Sequence, residues 1–528
     1  MIHSTFVPLD WMVLFGYFAV LLFTGIKLSK PHGGMREYFL SDGRIPVWAA
    51  AISTLATALS AATFLGCPQI TFREGGNLTY LSANIGAIIG ALIAAFVFIP
   101  AYYREGVTTV YEFVGRRYGG LGAGATSAAF LVGRILAGGA RVYMAALPAS
   151  LILFGDISGP HMVGAIAVLS AVAALYTLGG GVTSVIWTDC IQAVIFIDAG
   201  VVALCLLLHF IPLDISEILK VLREAGKLEI FRAGASLSPP SIDFQADYTL
   251  LTACTGLALL NLAAYATDHD LAQRLLTCSS PAKGGMAVMG AILIGIPAVA
   301  LFMCVGLLLY IYYGRPDIMG AAAPAVLVGD SRKIFLAFIM DEIPAGVRGF
   351  MLAGLFASAL STLNSSLNSM SAALINDFYL RWRPKAPDHQ LLRASKICVV
   401  ACAVVLGAVG ILCWRWNTLN ADSLINFALT VMGFAYSGLA AVFLAAVTSK
   451  RGRGGSAAAA VLTGFGVAFC LEPGTLNWLS MTILGHTLSF SPPAFPWRML
   501  TATAAAYIVC ILPPGVSGGE ARPAQGQA

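Results

Sequence analysis

The run SALSTLNSSLNSMS, residues 358–371, holds the side chains best spaced for chemistry. Ser358, Ser361, Thr362 and Ser365 recur at i, i+3, i+4 and i+7, so on a helix they share one face. Nine of the fourteen residues are Ser, Thr or Asn, yet GFMLAGLFA precedes the run and AALINDFY follows it. A hydroxyl face in apolar surroundings must meet protein, water or an ion. Hydroxyl and carbonyl oxygens suit a hard cation. Small hydroxyl residues also let helices approach and cross-bond, so the stripe suits plain packing as well.

Other polar residues stand in similarly apolar company. Asp189, in TDCIQ, opens an apolar helix and is a candidate ion ligand; the alternative is a solvated helix end. The stretch AISTLATALSAATFLG, residues 51–66, is dense in small residues, Ser and Thr. Such a helix can unwind and offer backbone carbonyls to an ion, or simply pack closely. In LVGRILAGGARVYMAAL, Arg134 and Arg141 stand seven residues apart on nearly one face. Arginine suits bidentate capture of a carboxylate. Asp198, at similar depth in its own helix, offers Arg134 a structural ion pair instead. In TDHDLAQR, Asp268, His269 and Asp270 are metal-ligand types, but neighbours on a helix diverge. They read as capping and charging a helix end and not as a metal site, since no second ligand cluster accompanies them.

These residues must be positioned inside a membrane. The 528 residues are 58% hydrophobic and 11% charged, against about a quarter charged in soluble domains. Apolar runs long enough to cross a bilayer recur, giving about thirteen spans, near 8–28, 46–70, 78–103, 120–154, 160–178, 183–211, 247–272, 285–314, 335–377, 392–414, 421–447, 455–472 and 496–513. Basic loops such as YYREGVTTVYEFVGRRYGG and SKRGRGG fall on one side of the alternating thread. The positive-inside rule then puts the N-terminus outside and the C-terminus in the cytoplasm. The first span lacks a cleavage site and reads as uncleaved; the tail 514–528 reads as disordered. The net charge of +5 is spread over short loops and gives no nucleic-acid signal. The 11 cysteines lack metal spacing and read as packing thiols.

Four motifs in order, YFLSDGRIPVWAAAISTLATALSAATFLG, YTLGGGVTSVIWTDCIQ, TDHDLAQRLLTC and ALSTLNSSLNS, resemble the sodium:solute symporter family over roughly residues 8–513. The resemblance implies an all-α polytopic membrane protein of leucine-transporter type, with two inverted five-helix repeats. They would cover 46–211 and 247–447, joined by an outer loop at 212–246. Extra helices would fill 1–45 and 448–513. It implies a sodium site from backbone carbonyls of Ala56, Leu59 and Ser358 and hydroxyls of Ser361 and Thr362. A second sodium would use Asp189, Ser361 and Ser365, with Asn364 where another serine is expected. Ser60, Thr63 and Asn261 match solute-facing positions. The gate tyrosine, a lysine and a glutamate or glutamine of sugar-transporting members are matched by Ala264, Gly295 and Ser82, a thin set for a neutral hexose. Arg134 matches an arginine that holds the carboxylate in sialic-acid members.

The implied activity is sodium-driven import of a small polar organic solute by alternating access, with a carboxylate-bearing solute as one specificity. The expected partners are solute, sodium and a lipid bilayer, without nucleic acid or an obligate protein, in a plasma (inner) membrane. Proton coupling, an uncoupled path and a neutral-sugar symporter are the alternatives. No nucleophile–base set or metal motif points to an enzyme, and no filter-like repeat points to a channel.

Overall fold

The computed structural model describes residues 6–28, 40–178, 182–237, 240–320, 331–420, 423–484 and 492–514. Apart from Pro514, the tail 514–528 lies outside the described residues, as do the three glycines 179–181. The chain begins with α1 (Pro8–Leu28), as expected. The second expected span is two helices, α2 (Val47–Ala58) and α3 (Ala61–Phe72), bent by 61°. Next come α4 (Thr79–Glu105), α5 (Val110–Phe154), α6 (Gly159–Thr177) and α7 (Val182–Phe210). Helix α5 starts earlier than expected because it carries a kink at Gly119, whose φ of 77° only glycine adopts easily.

The segment 212–246 is more ordered than a plain loop. It holds α8 (Ile215–Glu224), entered through an Asp214–Glu217 capping box, and a small hairpin pairing Ala235–Leu237 with Pro240–Ile242. From this segment Lys227 donates to the carbonyls of Thr71 (2.7 Å), Gly76 (3.0 Å) and Arg73 (3.1 Å), capping the end of α3. Burial, with Arg73 nearby, pulls its ammonium down to about 8.

A second broken element follows: α9 (Leu250–Thr267), then α10 (His269–Leu276), with Asp268 extended between them. Helix α9 lies almost on α4: a Cβ at Gly86 or Gly90 would come within 2.6 Å of the Ala253 carbonyl or 2.5 Å of the Leu262 amide. The chain continues with α11 (Pro281–Gly314), α12 (Ile334–Asp341), α13 (Val347–Trp382), α14 (Asp388–Asn420) and α15 (Leu424–Thr448). It closes with α16 (Gly454–Cys470), α17 (Pro473–Leu484) and α18 (Phe495–Ile511). The span expected at 335–377 is thus α12 plus α13, divided where Gly346 takes φ 83°.

Among the described residues, ten helices are long and apolar enough to cross a membrane, or up to twelve with each bent pair as one span. The last expected span is the shorter α18, so the expected count of about thirteen is approximate. Helix α13 runs through the middle, packed against α7, α1, α5 and α14. Every residue from Met351 to Ala373 is buried. The stripe therefore faces protein on every side.

Candidate functional site

The first break exposes backbone oxygen. Leu59 (φ −76°, ψ 135°) and Ser60 (φ −145°, ψ −179°) are extended, so the last carbonyls of α2 lose their helical partners. Thr362 Oγ1 lies 3.3 Å from the Leu59 carbonyl oxygen, 3.5 Å from that of Thr57 and 3.0 Å from that of Ser358. Three carbonyls and a hydroxyl converge there without a side-chain charge. Of the residues expected at the sodium site, Leu59, Ser358 and Thr362 are brought together. Ala56 is buried in the last turn of α2. The Ser358 hydroxyl turns to the Leu355 carbonyl (2.8 Å), and the Ser361 hydroxyl donates instead to Asp189 Oδ1 (2.6 Å).

The second break carries charge. Asp268 caps α10 by accepting from the Asp270 amide (2.9 Å), as its place in the sequence suggests. Asp268, His269 and Asp270 are all fully buried there. Arg134 donates through Nη1 to Asp268 Oδ2 (3.0 Å) and through Nε to Ser366 Oγ (3.0 Å), and it pairs with Asp270. The tyrosine hydroxyl of Tyr436 also reaches Asp268 Oδ2. The expected Arg134–Asp198 pair does not form: Asp198 is exposed on α7. Equal depth along two helices says nothing about the direction a side chain faces, and rotation about the helix axis separated these two.

Arg274, unread in the sequence, ties the second break to α2, α7 and α13. Its Nη1 donates to Asp270 Oδ1 (2.9 Å), its Nη2 to Asp189 Oδ2 (3.2 Å) and Ser365 Oγ, and its Nε to Ser53 Oγ (2.8 Å). Ser53 in turn donates to Asp189 Oδ2 (2.6 Å). Asn364 faces away, within 3.3 Å of Thr177. The signal that could have found Arg274 is its i, i+4 spacing from Asp270, the geometry of a helix ion pair.

Beside both breaks lies a cavity of about 180 Å³. Thr63, Asn261, Arg134 and Arg141 line it, with Thr57, Asn84 and Tyr436. Ala264 and Gly295 line it too, and the adjacent Tyr265 supplies an aromatic ring one residue from the position matched to the gate tyrosine. Ser60 and Ser82 are absent from the lining: Ser60 accepts from the Ala62 amide (3.3 Å), and Ser82 is buried with an unpartnered hydroxyl. Arg141 is the less engaged of the two arginines. Its Nη2 is 3.8 Å from the Met432 sulfur and its Nη1 has no partner, although the residue is 6% exposed. At one end, Tyr80 of this cavity meets Tyr248 edge-on with centroids 4.9 Å apart. Tyr248 lines a second cavity of about 200 Å³ with Arg73, Arg232 and Asp247.

Helices broken beside a buried cavity, with carbonyls turned onto a hydroxyl stripe, define an ion-coupled membrane transporter. The chain belongs to the sodium:solute symporter family, whose model matches residues 38–464. It is 26% identical over 491 residues to the sodium/sialic acid symporter SiaT of Proteus mirabilis, covering 90% of this chain and 92% of that one. It is also 26% identical to the sodium/sialic acid symporter NanT of Aliivibrio fischeri, covering 91% of each. A substrate-bound, outward-open structure of a Na+-coupled sialic acid symporter matches with a TM-score of 0.77 at 23% identity, over 96% of this chain and 97% of that one. The fold is of leucine-transporter type. The protein is a multi-pass membrane transporter that couples solute to sodium, and not an enzyme.

Proposed function

We propose that the protein imports a small carboxylate-bearing polar solute, such as a sialic acid or another acidic sugar, with Arg141 as the carboxylate anchor. The observation that carries this reading is the Arg141 guanidinium, buried in the cavity wall with an unpartnered Nη1. A buried guanidinium with no anion in contact and an N–H unsatisfied is costly, and a bound carboxylate relieves that cost. Arg134 lines the same cavity, but Asp268 and Asp270 already hold it. Thr63, Asn261 and Tyr265 would meet the solute's hydroxyl or amide groups. The same carboxylate chemistry is consistent with the named substrates of SiaT and NanT.

Sodium would sit where Leu59, Ser358 and Thr362 converge, with Ala56 and Ser361 completing its shell after small side-chain and backbone adjustments. It would bridge the α2–α3 break to α13 and favour the solute-ready state. Its loss would let the helices part and release solute. Sodium and solute should then tighten each other's binding by one coupling free energy. The matching breaks in α2–α3 and α9–α10 support inverted repeats near 46–211 and 247–447, with the remaining helices outside that core. The basic loops support a plasma (inner) membrane orientation with the N-terminus outside and the C-terminus in the cytoplasm.

The test is uptake of N-acetylneuraminic acid into proteoliposomes under a sodium gradient, against potassium. Sodium-dependent uptake, with Arg141→Gln raising the half-saturating concentration by more than about thirtyfold, is the expected result. Unaltered uptake in the variant removes Arg141 as anchor. Uptake driven equally by a proton gradient in potassium would remove sodium coupling, and uptake of galactose instead would favour the neutral-sugar reading.

A further inference from the structure

We propose that Arg274 is the resident cation of the Asp189 pocket, so that each transport cycle carries a single sodium, at the Thr362 site. The inference rests on the reading of the Thr362 face as a sodium site and goes beyond it to fix the ion count.

The oxygens that a second sodium would need are already committed. Asp189 Oδ2 accepts from Arg274 and from Ser53, and Asp189 Oδ1 accepts from Ser361. Ser365 Oγ accepts from Arg274 Nη2, and Ser53 Oγ accepts from Arg274 Nε. The guanidinium thus donates to Asp189 Oδ2 and Ser365 Oγ, two of the oxygens that the second sodium would need, and Asp189 Oδ1 takes up the third, Ser361. Asn364, the remaining position of the expected set, points to Thr177. Arg274 cannot swing aside cheaply either, because its Nη1 also holds Asp270 Oδ1, and leaving would strand a buried carboxylate.

Charge balance points the same way. Around the cavity and the second break the protein buries three arginines, Arg134, Arg141 and Arg274, and three aspartates, Asp189, Asp268 and Asp270, all less than a tenth exposed, although only Arg134 and Arg274 touch the carboxylates. This set is neutral as it stands. One sodium together with one carboxylate solute keeps it neutral. A second sodium at Asp189 would leave an uncompensated positive charge in low dielectric, directly beside a guanidinium. The Thr362 site has no carboxylate and no tethered cation, so a mobile ion can enter it by turning hydroxyls aside and without displacing a charge.

The decisive experiment is equilibrium binding of ²²Na⁺ to the purified full-length protein in choline buffer, counted per chain and repeated with Thr362→Ala. No solute is needed, so the ion count is read independently of solute identity. The expected result is a plateau at one sodium per chain that the variant abolishes. Two sodium ions per chain, with one surviving in Thr362→Ala, would overturn the inference and leave sodium coupling intact. A single sodium that survives the variant would place the ion elsewhere and overturn it equally. No bound sodium in the unaltered protein would take down the sodium reading and this inference together.

Discussion

The two helix breaks solve one problem in opposite ways. At Leu59–Ser60 the chain turns its carbonyls toward the neutral Thr362 hydroxyl, and the Ser60 hydroxyl caps the Ala62 amide. At Asp268 the break is built from carboxylates, and Arg134 and Arg274 hold them in place. A break without charge has a weak field that a small mobile cation can strengthen and then leave. A break with buried carboxylates needs its countercharge at all times, and an arginine supplies it covalently. The first break is therefore suited to the part that loads and unloads, the second to a fixed pivot.

The comparison predicts unequal sensitivity. Asp268→Asn leaves Arg134 short of a partner in a dry site and should cost about 3–5 kcal/mol. The expected outcome is a collapse of folded yield or a large drop in the thermal unfolding midpoint of purified protein. Ser60→Ala removes one cap and should cost only about 1 kcal/mol. Equal losses for the two variants would erase the distinction between a fixed break and a mobile one.

A gentler probe uses the far end of α3, where a tethered cation meets carbonyls and the Tyr310 ring but no carboxylate. Burial brings the Lys227 ammonium from 10.5 to about 8 in the folded protein. Between these values the unfolded chain holds a proton that the folded chain has released. This residue's contribution to stability therefore improves as pH climbs from about 8 toward the free-lysine value, and is least favourable below it. The unfolding midpoint of the protein should carry that upward slope, and Lys227→Met should flatten it. A slope unchanged in the variant would assign it to other groups.

The legible parts of this molecule were those where a local pattern carries the physics. The stripe stood out because hydroxyls at helical spacing have no cheap place in lipid, and the dense small residues of 51–66 marked a helix able to break. The charged network was invisible for the complementary reason. Arg134 and Asp268 are 134 residues apart, and Arg274 and Asp189 are 85 apart, so no window of sequence contains either pair. Matching depths along separate helices suggested Asp198 for Arg134, but only the packed fold fixes which way each side chain faces. TDHDLAQR read as capping and charging a helix end because its composition is polar; its burial against α2, α11 and α13 is a tertiary fact.

The smallest expected effect is the sharpest test of why the two breaks differ. Asn364 occupies the position where the resemblance expects a serine, so a reading based on ligand identity alone blames Asn364 for the loss of a second sodium. The structure gives Asn364 a different role, beside Thr177, and gives the Asp189 pocket to Arg274. Asn364→Ser would restore the expected oxygen yet leave the guanidinium in place. Its ²²Na⁺ plateau should stay at the unaltered protein's value, and its unfolding midpoint should fall slightly, by the loss of one buried hydrogen bond worth about 1 kcal/mol. A rise by one sodium per chain would mean that the missing oxygen, rather than the tethered charge, had set the count. The contrast between the breaks would then lie in ligand number instead of in electrostatics.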